Sequence, residues 1–282
     1  MHARRRSPVF VAVLVCLVVA PAKADDWPQF RGVNSSGVAT SAEPLPVEFS
    51  FESKVAWSTK LGDGVGSPII AGGRCFATAM TGDEQFTVFA FDAATGAEAW
   101  RFALPKPAYL MDWGAAMSPI VHGGTVFFCQ DDDLAPTLFA VQSSNGALRW
   151  QAARPEMLAG YAVPVICKVG DREDVVIAGS GKMKGYDPAT GRERWTCNSM
   201  PRTVMTSPVV RDGVMYVSVQ SYGDETRTLK FALLEWLDTN QDGKLAKGEV
   251  PKEFVPRFEQ SDKNRDGVIA EAELDTASQS PE

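Results

Sequence analysis

Four stretches of this chain open alike, at a spacing that suits a stack of similar units. Ser67-Pro68-Ile69-Ile70, Ser118-Pro119-Ile120-Val121, Val163-Pro164-Val165-Ile166 and Ser207-Pro208-Val209-Val210 each lead into a polar or glycine-containing turn. A second apolar run follows each: Cys75-Phe76-Ala77, Val126-Phe127-Phe128, Val175-Val176-Ile177 and Val214-Met215-Tyr216-Val217. Three of the units then close with a hairpin that ends in tryptophan, at Trp100, Trp150 and Trp195. From proline to tryptophan the interval is 32, 31 and 31 residues, so insertions have not blurred the register. Such self-similarity decides the architecture before any single element is considered.

The closing hairpins share a local chemistry. Phe91-Asp92 precedes Thr95-Gly96 and Trp100, Tyr186-Asp187 precedes Thr190-Gly191 and Trp195, and the middle unit substitutes Gln142 and Asn145 before Gly146 and Trp150. The glycines supply the positive φ that the turn needs, and the aspartates can accept bonds from nearby backbone amides. Each tryptophan four residues later falls on the outgoing strand, where it would pack between neighbouring sheets. A unit of about 45 residues with four short strands is one blade of a β-propeller. A lone blade cannot bury both faces and must stack on its neighbours.

The Asp92-x-x-Thr95-Gly96-x-x-x-Trp100 hairpin, the Ser-Pro-apolar openings and the segment Asp26-Trp27-Pro-Gln-Phe-Arg31-Gly32 together resemble the pyrroloquinoline-quinone-type, or quinoprotein-like, β-propeller repeat proteins. The resemblance implies a mainly β fold over residues 25–222, with three to four blades and an incomplete ring. Alcohol dehydrogenases of this superfold carry a vicinal cysteine pair and a catalytic aspartate beside their quinone, and this chain has no adjacent cysteines. The resemblance admits pyrroloquinoline quinone as a cofactor, but no residue here can be assigned to it. Many members of the family are non-enzymatic scaffolds.

The fourth unit opens correctly but does not finish. Where its closing hairpin should fall the chain reads Leu233-Leu234-Glu235-Trp236 and runs into two twelve-residue loops, Asp238–Glu249 and Asp262–Glu273, whose starts lie 24 residues apart. Each loop places oxygen donors at positions 1, 3, 5 and 12, glycine at 6 and an aliphatic residue at 8, which is the EF-hand calcium pattern. Ca²⁺ takes six to eight oxygens at about 2.3–2.6 Å, so a short loop must wrap around the ion to supply them. In the first loop the donors are Asp238, Asn240 and Asp242 through their side chains, Lys244 through its carbonyl, and Glu249 through both carboxylate oxygens. In the second they are Asp262, Asn264, Asp266, the Val268 carbonyl and Glu273. Gly243 and Gly267 permit the sharp turn, Leu245 and Ile269 should pair across the two loops, and water should fill the vertex at Ala246 and Ala270. The sequence thus predicts two Ca²⁺ sites in a small α-helical module over 223–275, interrupting the propeller.

The flanks agree with that module. Phe231, Leu234 and Leu237 fall at helical spacing before the first loop, and Phe254 and Phe258 do so before the second. Only Val250 to Ser261 separates the loops, and Pro251 and Pro256 shorten any helix there. One short connector therefore serves as exit from the first loop and approach to the second. Residues 276–282 are a polar tail without strand character. Three to four blades cannot close a ring, so the chain is expected either to be truncated relative to its relatives or to complete a ring with another chain; the tail favours truncation.

At the other end, Arg4-Arg5-Arg6, an apolar run from Val9 to Ala20 and Ala22-Lys23-Ala24 form a signal peptide over 1–24. The run of about twelve residues is too short to span a bilayer. Cleavage near Ala24 implies a periplasmic or extracellular protein with no membrane span. Removing four of the 28 basic residues leaves 24 against 35 acidic ones, a formal charge of −11, which excludes nucleic acid as an expected partner. Cys75, Cys129, Cys167 and Cys197 are widely spaced; disulfides and buried thiols remain equal alternatives. Tyr109, Asp112 and Trp113, in the long loop that leads into the second unit, could line a surface or pack on one another. Asp131-Asp132-Asp133 reads as a solvated hairpin tip, and His122, beside Gly123-Gly124, has no evident partner.

Taken together, these features predict calcium binding by a tandem EF-hand module on an exported, non-catalytic propeller scaffold for protein or ligand contacts. Its partners would be calcium ions and another protein or the missing blades. The alternative is a quinoprotein-type dehydrogenase or a fragment of one.

Overall fold

The computed structural model describes residues 26–39, 46–64, 66–82, 85–109, 117–155, 157, 160–179, 182–198, 206–218, 234, 237–270 and 273. The signal segment, the polar tail and residues 110–116 lie outside them. The three tryptophan-closed units fold as three four-stranded antiparallel sheets, each in simple sequence order. The first blade holds β1 (Ile69–Ala71), β2 (Arg74–Thr81), β3 (Gln85–Asp92) and β4 (Glu98–Ala103). The second holds β5 (Ile120–His122), β6 (Thr125–Gln130), β7 (Thr137–Gln142) and β8 (Leu148–Ala153). The third holds β9 (Val165–Val169), β10 (Arg172–Ala178), β11 (Met183–Tyr186) and β12 (Glu193–Cys197). Among the described residues the fourth unit gives a two-stranded sheet, β13 (Val209–Arg211) with β14 (Val214–Tyr216). The mainly β, partial-propeller expectation holds.

The middle strands explain why the blades must stack. Every residue of β6 is buried, whereas the outer strand β8 exposes alternate residues. A strand covered on both faces can be apolar throughout, while one with a wet face alternates. Ile69, Phe76, Val88 and Trp100 of the first blade interlock with Val126, Phe128, Phe139 and Val141 of the second. Ile120, Phe127 and Leu138 meet Val175, Ile177 and Tyr186 in the next interface. Each fully buried side chain of this size contributes roughly 1.5–3 kcal/mol before entropy is charged against it.

The tryptophans pin these interfaces. Trp100 Nε1 donates to the Ser143 carbonyl of the second blade at 2.9 Å, and Trp150 Nε1 donates to the Pro188 carbonyl of the third at 3.0 Å. Each indole lies over the turn glycine of the next blade: a Cβ on Gly146 would come within 2.8 Å of the Trp100 ring, and one on Gly191 within 2.4 Å of Trp150. The glycines therefore serve twice, since φ is +72° at Gly146 and +73° at Gly191. Sequence reasoning found the first role and missed the second. It also missed Trp57, which bonds the Ala93 carbonyl at 2.9 Å and lies over Gly96 in the same way. The available signal was Ala56-Trp57 with Leu61, which matches Ala99-Trp100 with Leu104.

Several smaller readings change. The four cysteines are free thiols, and Cys75, Cys129 and Cys167 are buried. His122 does have a partner: its Nε2 lies 2.8 Å from Glu173 Oε2 of the third blade. Asp131 and Asp132 are not solvated; each is 2% exposed. The segment from Trp27 to Ser35 crosses the inner edges of several blades, pairing with Ile70, accepting from the Val121 amide through Pro28, and lying next to β13. Among the described residues no helix is long and apolar enough to cross a membrane.

If tryptophan docking sets the blade interfaces, Gly146→Ala should cost about 2–4 kcal/mol, because it combines a left-handed backbone with a steric clash. Gly72→Ala, at φ +57° but with nothing within 4 Å, should cost only about 1–2 kcal/mol. Urea denaturation of the two variants would separate them.

Candidate metal centre

The two acidic loops fold as a matched pair. β15 (Leu245–Ala246) pairs antiparallel with β16 (Val268–Ile269), placing Leu245 opposite Ile269 as the sequence suggests. Helix α1 (Val255–Ser261) connects them, preceded by a single 3₁₀ turn over Lys252–Phe254. Pro256 lies in the first turn of α1, where its missing N–H costs nothing. Phe258 of α1 joins Leu245 and Ile269 in a small core, with Leu234, Leu237 and Val250 packed at its margin. Phe231 lies outside the described residues.

Within each loop the hydrogen bonds repeat position for position. Asp238 Oδ2 accepts from the Gly243 amide at 2.8 Å, and Asp262 Oδ2 accepts from Gly267 at 2.9 Å. Asn240 Oδ1 and Asn264 Oδ1 each accept from the amide two residues on, at 2.8 Å. Asp242 Oδ1 accepts from Lys244 and Asp266 Oδ1 from Val268, both at 2.9 Å. Glu249 reaches back across its loop, its Oε1 accepting from the Thr239 amide at 3.0 Å and its Oε2 from Ala246 at 2.9 Å. Glu273 does the same with Lys263 and Ala270. The Ala246 amide, with help from Thr239 and Asn240, holds the Glu249 carboxyl below the usual glutamate range. Gln241 and Arg265 at position 4 take φ of +60° and +61°, and Gly243 and Gly267 take +77° and +84°. Two residues of left-handed backbone thus curl each loop back on itself.

The donor chemistry suits a hard cation. A carboxylate oxygen that accepts one amide keeps a second lone pair, and the side-chain amide oxygens of Asn240 and Asn264 do likewise. Among the described residues, however, no three aspartate, glutamate, histidine or cysteine side chains gather closely enough to hold a metal by themselves. A cation held by either loop would therefore also need the loop's asparagine and the Lys244 or Val268 carbonyl.

The module is fastened to the second blade. Arg257 of α1 donates through Nη2 to the Pro155 carbonyl at 2.7 Å, and through Nη1 to the Asp133 and Leu134 carbonyls at 3.3 Å each. Burial against the blade lowers its pKa. The turn it grips is a junction. Asp132 accepts from the Leu134, Ala135 and Ala108 amides, and Gln130 donates to the Pro105 carbonyl, so the loop carrying Tyr109 is tied down as well. Asp112 and Trp113 lie outside the described residues. Beneath this turn, Asp131 Oδ2 lies 2.9 Å from Arg154 Nη1 in an ion pair with almost no exposure. The Arg154 guanidinium sits 5.7 Å from the centre of the Tyr186 ring. Burial pushes the Asp131 carboxyl up to about 7, with Arg154 pulling against it. The acidic triplet looked like a solvated tip because its cation lies 23 residues away, on the far side of a hairpin.

Comparison with known proteins places the first two blades. A family described as outer membrane protein assembly factor BamB matches residues 38–161. That stretch is similar to the repeat of a known propeller family. BamB of Yersinia pestis is 28% identical over 177 residues, covering 58% of this chain and 42% of that protein. The chain thus spans less than half the length of the curated relative it matches. The crystal structure of BamB from Moraxella catarrhalis is 25% identical with a TM-score of 0.37, covering 52% of this chain and 44% of that one. A europium-containing methanol dehydrogenase is 19% identical with a TM-score of 0.41, covering 52% of this chain and 27% of that one.

Removing the Asp131 carboxylate would leave the Arg154 charge buried without its counter-ion. Asp131→Ala is expected to lose about 3–5 kcal/mol of stability. Chemical denaturation against the parent protein measures this; a loss below about 1 kcal/mol, as for a surface pair, would refute the buried-pair assignment.

Proposed function

We propose that this chain is an exported, non-catalytic propeller scaffold for contacts with other proteins, locked by a tandem pair of calcium-binding loops docked on its second blade. Blades stacked through apolar faces give a rigid body, and the BamB relatives are assembly factors by name. Arg257 is the observation that carries the lock: one side chain holds the module to three carbonyls from two segments of the second blade.

Asp238, Asn240, Asp242, the Lys244 carbonyl and Glu249 would hold one ion; Asp262, Asn264, Asp266, the Val268 carbonyl and Glu273 would hold the other. Calcium would supply positive charge that offsets the mutual repulsion of the three donor carboxylates in each loop. Loop closure would then fix both ends of α1 and with them the position of Arg257. Export follows from the signal segment, and a mature chain starting at Asp25 is the expected product.

Each site occupied at 100 times its dissociation constant adds roughly 2.7 kcal/mol. The melting temperature should therefore rise between excess chelator and millimolar calcium, and the rise should vanish in Glu249→Ala/Glu273→Ala. Calorimetry should record calcium binding in the parent. No binding heat together with coincident melting curves would eliminate the lock.

A further inference from the structure

The first two blades are built alike, but one matched pair of positions differs in chemistry. In the first blade, Met80 near the end of β2 and Leu104 just past β4 belong to the apolar cluster that joins the first blade to the second. One repeat later the same positions hold Asp131 and Arg154. Asp131 stands 51 residues after Met80, as Thr125 at the start of β6 does after Arg74 at the start of β2. Arg154 follows Trp150 by four residues, as Leu104 follows Trp100. The Leu104 and Arg154 amides even make the same bond, to the Phe86 and Pro136 carbonyls, both at 2.8 Å. An apolar pair thus seals one interface, and a buried ion pair stands at the corresponding place in the next.

The ion pair depends on its backbone more than the apolar one does. Asp131 and Arg154 meet at 2.9 Å with side chains 1% and 0% exposed, yet among the described residues neither side chain makes a directed hydrogen bond. Attraction without aligned bonds sets a distance but not an orientation, so the segments carrying the two groups have to supply it. Gly160 packs over Asp131, where a Cβ would come within 2.7 Å of Oδ2. Arg154 lies against Tyr186 of β11, in the third blade. Both segments then run under Arg257. Its Nη2 donates to the carbonyl one residue after Arg154, and its Nη1 to the carbonyls two and three residues after Asp131.

We propose that Arg257 is a positioning residue that wires the acidic-loop module to the interface between the second and third blades. By clamping the turn after β6 to the chain leaving β8, it holds Asp131 on Arg154 and Arg154 against Tyr186. Releasing the clamp separates the segments, leaves a buried charge poorly compensated and loosens the third blade on the second. The first interface, sealed at the matching place by Met80 and Leu104, has no such dependence. This wiring needs no calcium; its control by calcium rests on the lock proposed above, since loop closure is what would fix α1 and Arg257 with it.

Native-state hydrogen exchange of the mature chain tests this. Arg257→Ala should speed exchange at the Arg154 amide and along β11 at least about tenfold, while β3 of the first blade changes less than about twofold. In Asp131→Met/Arg154→Leu, which copies the first blade, the same substitution should speed β11 less than about threefold. Near-ultraviolet circular dichroism checks folding. Should Arg257→Ala not fold, Arg257→Lys, which keeps the charge without the forked donors, carries the same comparison. No acceleration in β11, equal acceleration in β3 and β11, or an undiminished effect in the apolar variant would each overturn the wiring. Calcium should slow β11 exchange in the parent and not in Arg257→Ala. Calcium that binds and raises the melting temperature without slowing β11 would sink the wiring and spare the lock. Calcium without any effect, beside a strong and local Arg257→Ala effect, would sink the lock and spare the wiring.

Discussion

An indole laid on a glycine, with its N–H bonded to the carbonyl of the same turn, is the contact on which this architecture depends. Hydrophobic burial favours stacking apolar sheets but says little about how far they slide or rotate. The contact at Trp100 and Gly146 fixes one blade against the next with a directional bond and a steric limit together, and Trp150 with Gly191 repeats it. A larger residue at the glycine would push the indole away, and a different side chain at the tryptophan would lose the bond. Stability in such a stack is nearly the sum of nearest-neighbour interfaces.

Polar chemistry is concentrated where the stack meets something else. The turn after β6 is held from below by Arg154 and from outside by Arg257, while the Asp132 carboxylate gathers three amides around it. Buried charge of this kind adds little net stability, since desolvation offsets most of the attraction. What it does add is position. The acidic-loop module, the second blade and the loop carrying Tyr109 meet at one turn because that turn satisfies all of their bonds.

The blades were legible in the sequence because each repeats the same steric demand at the same interval, and Pro68, Pro119, Pro164 and Pro208 mark every start. The pairing of the acidic loops was legible too, since both carry an aliphatic residue at position 8, and Leu245 does lie opposite Ile269. Other features depended on partners distant in the chain. Glu173, which meets His122, lies 51 residues away, and Arg154 lies 23 from Asp131. Residue type alone made the acidic triplet look solvent-facing and left His122 without an evident partner. Trp57 escaped notice for a different reason: it stands ahead of the first Ser-Pro start, so no opening segment marked it.

The segment from Trp27 to Ser35 has a bearing on how the chain acquires its shape. It touches β1, β5 and β13, so residues made first find part of their surroundings only after residue 209 has emerged. Contacts between such distant parts of a chain slow folding, because the entropy of closing the long loop is lost before any bond compensates it. The blades can form one after another as they appear, but the leading strap can seat only at the end. Folding of this protein is thus cumulative along the blades and final only when its beginning meets its far side.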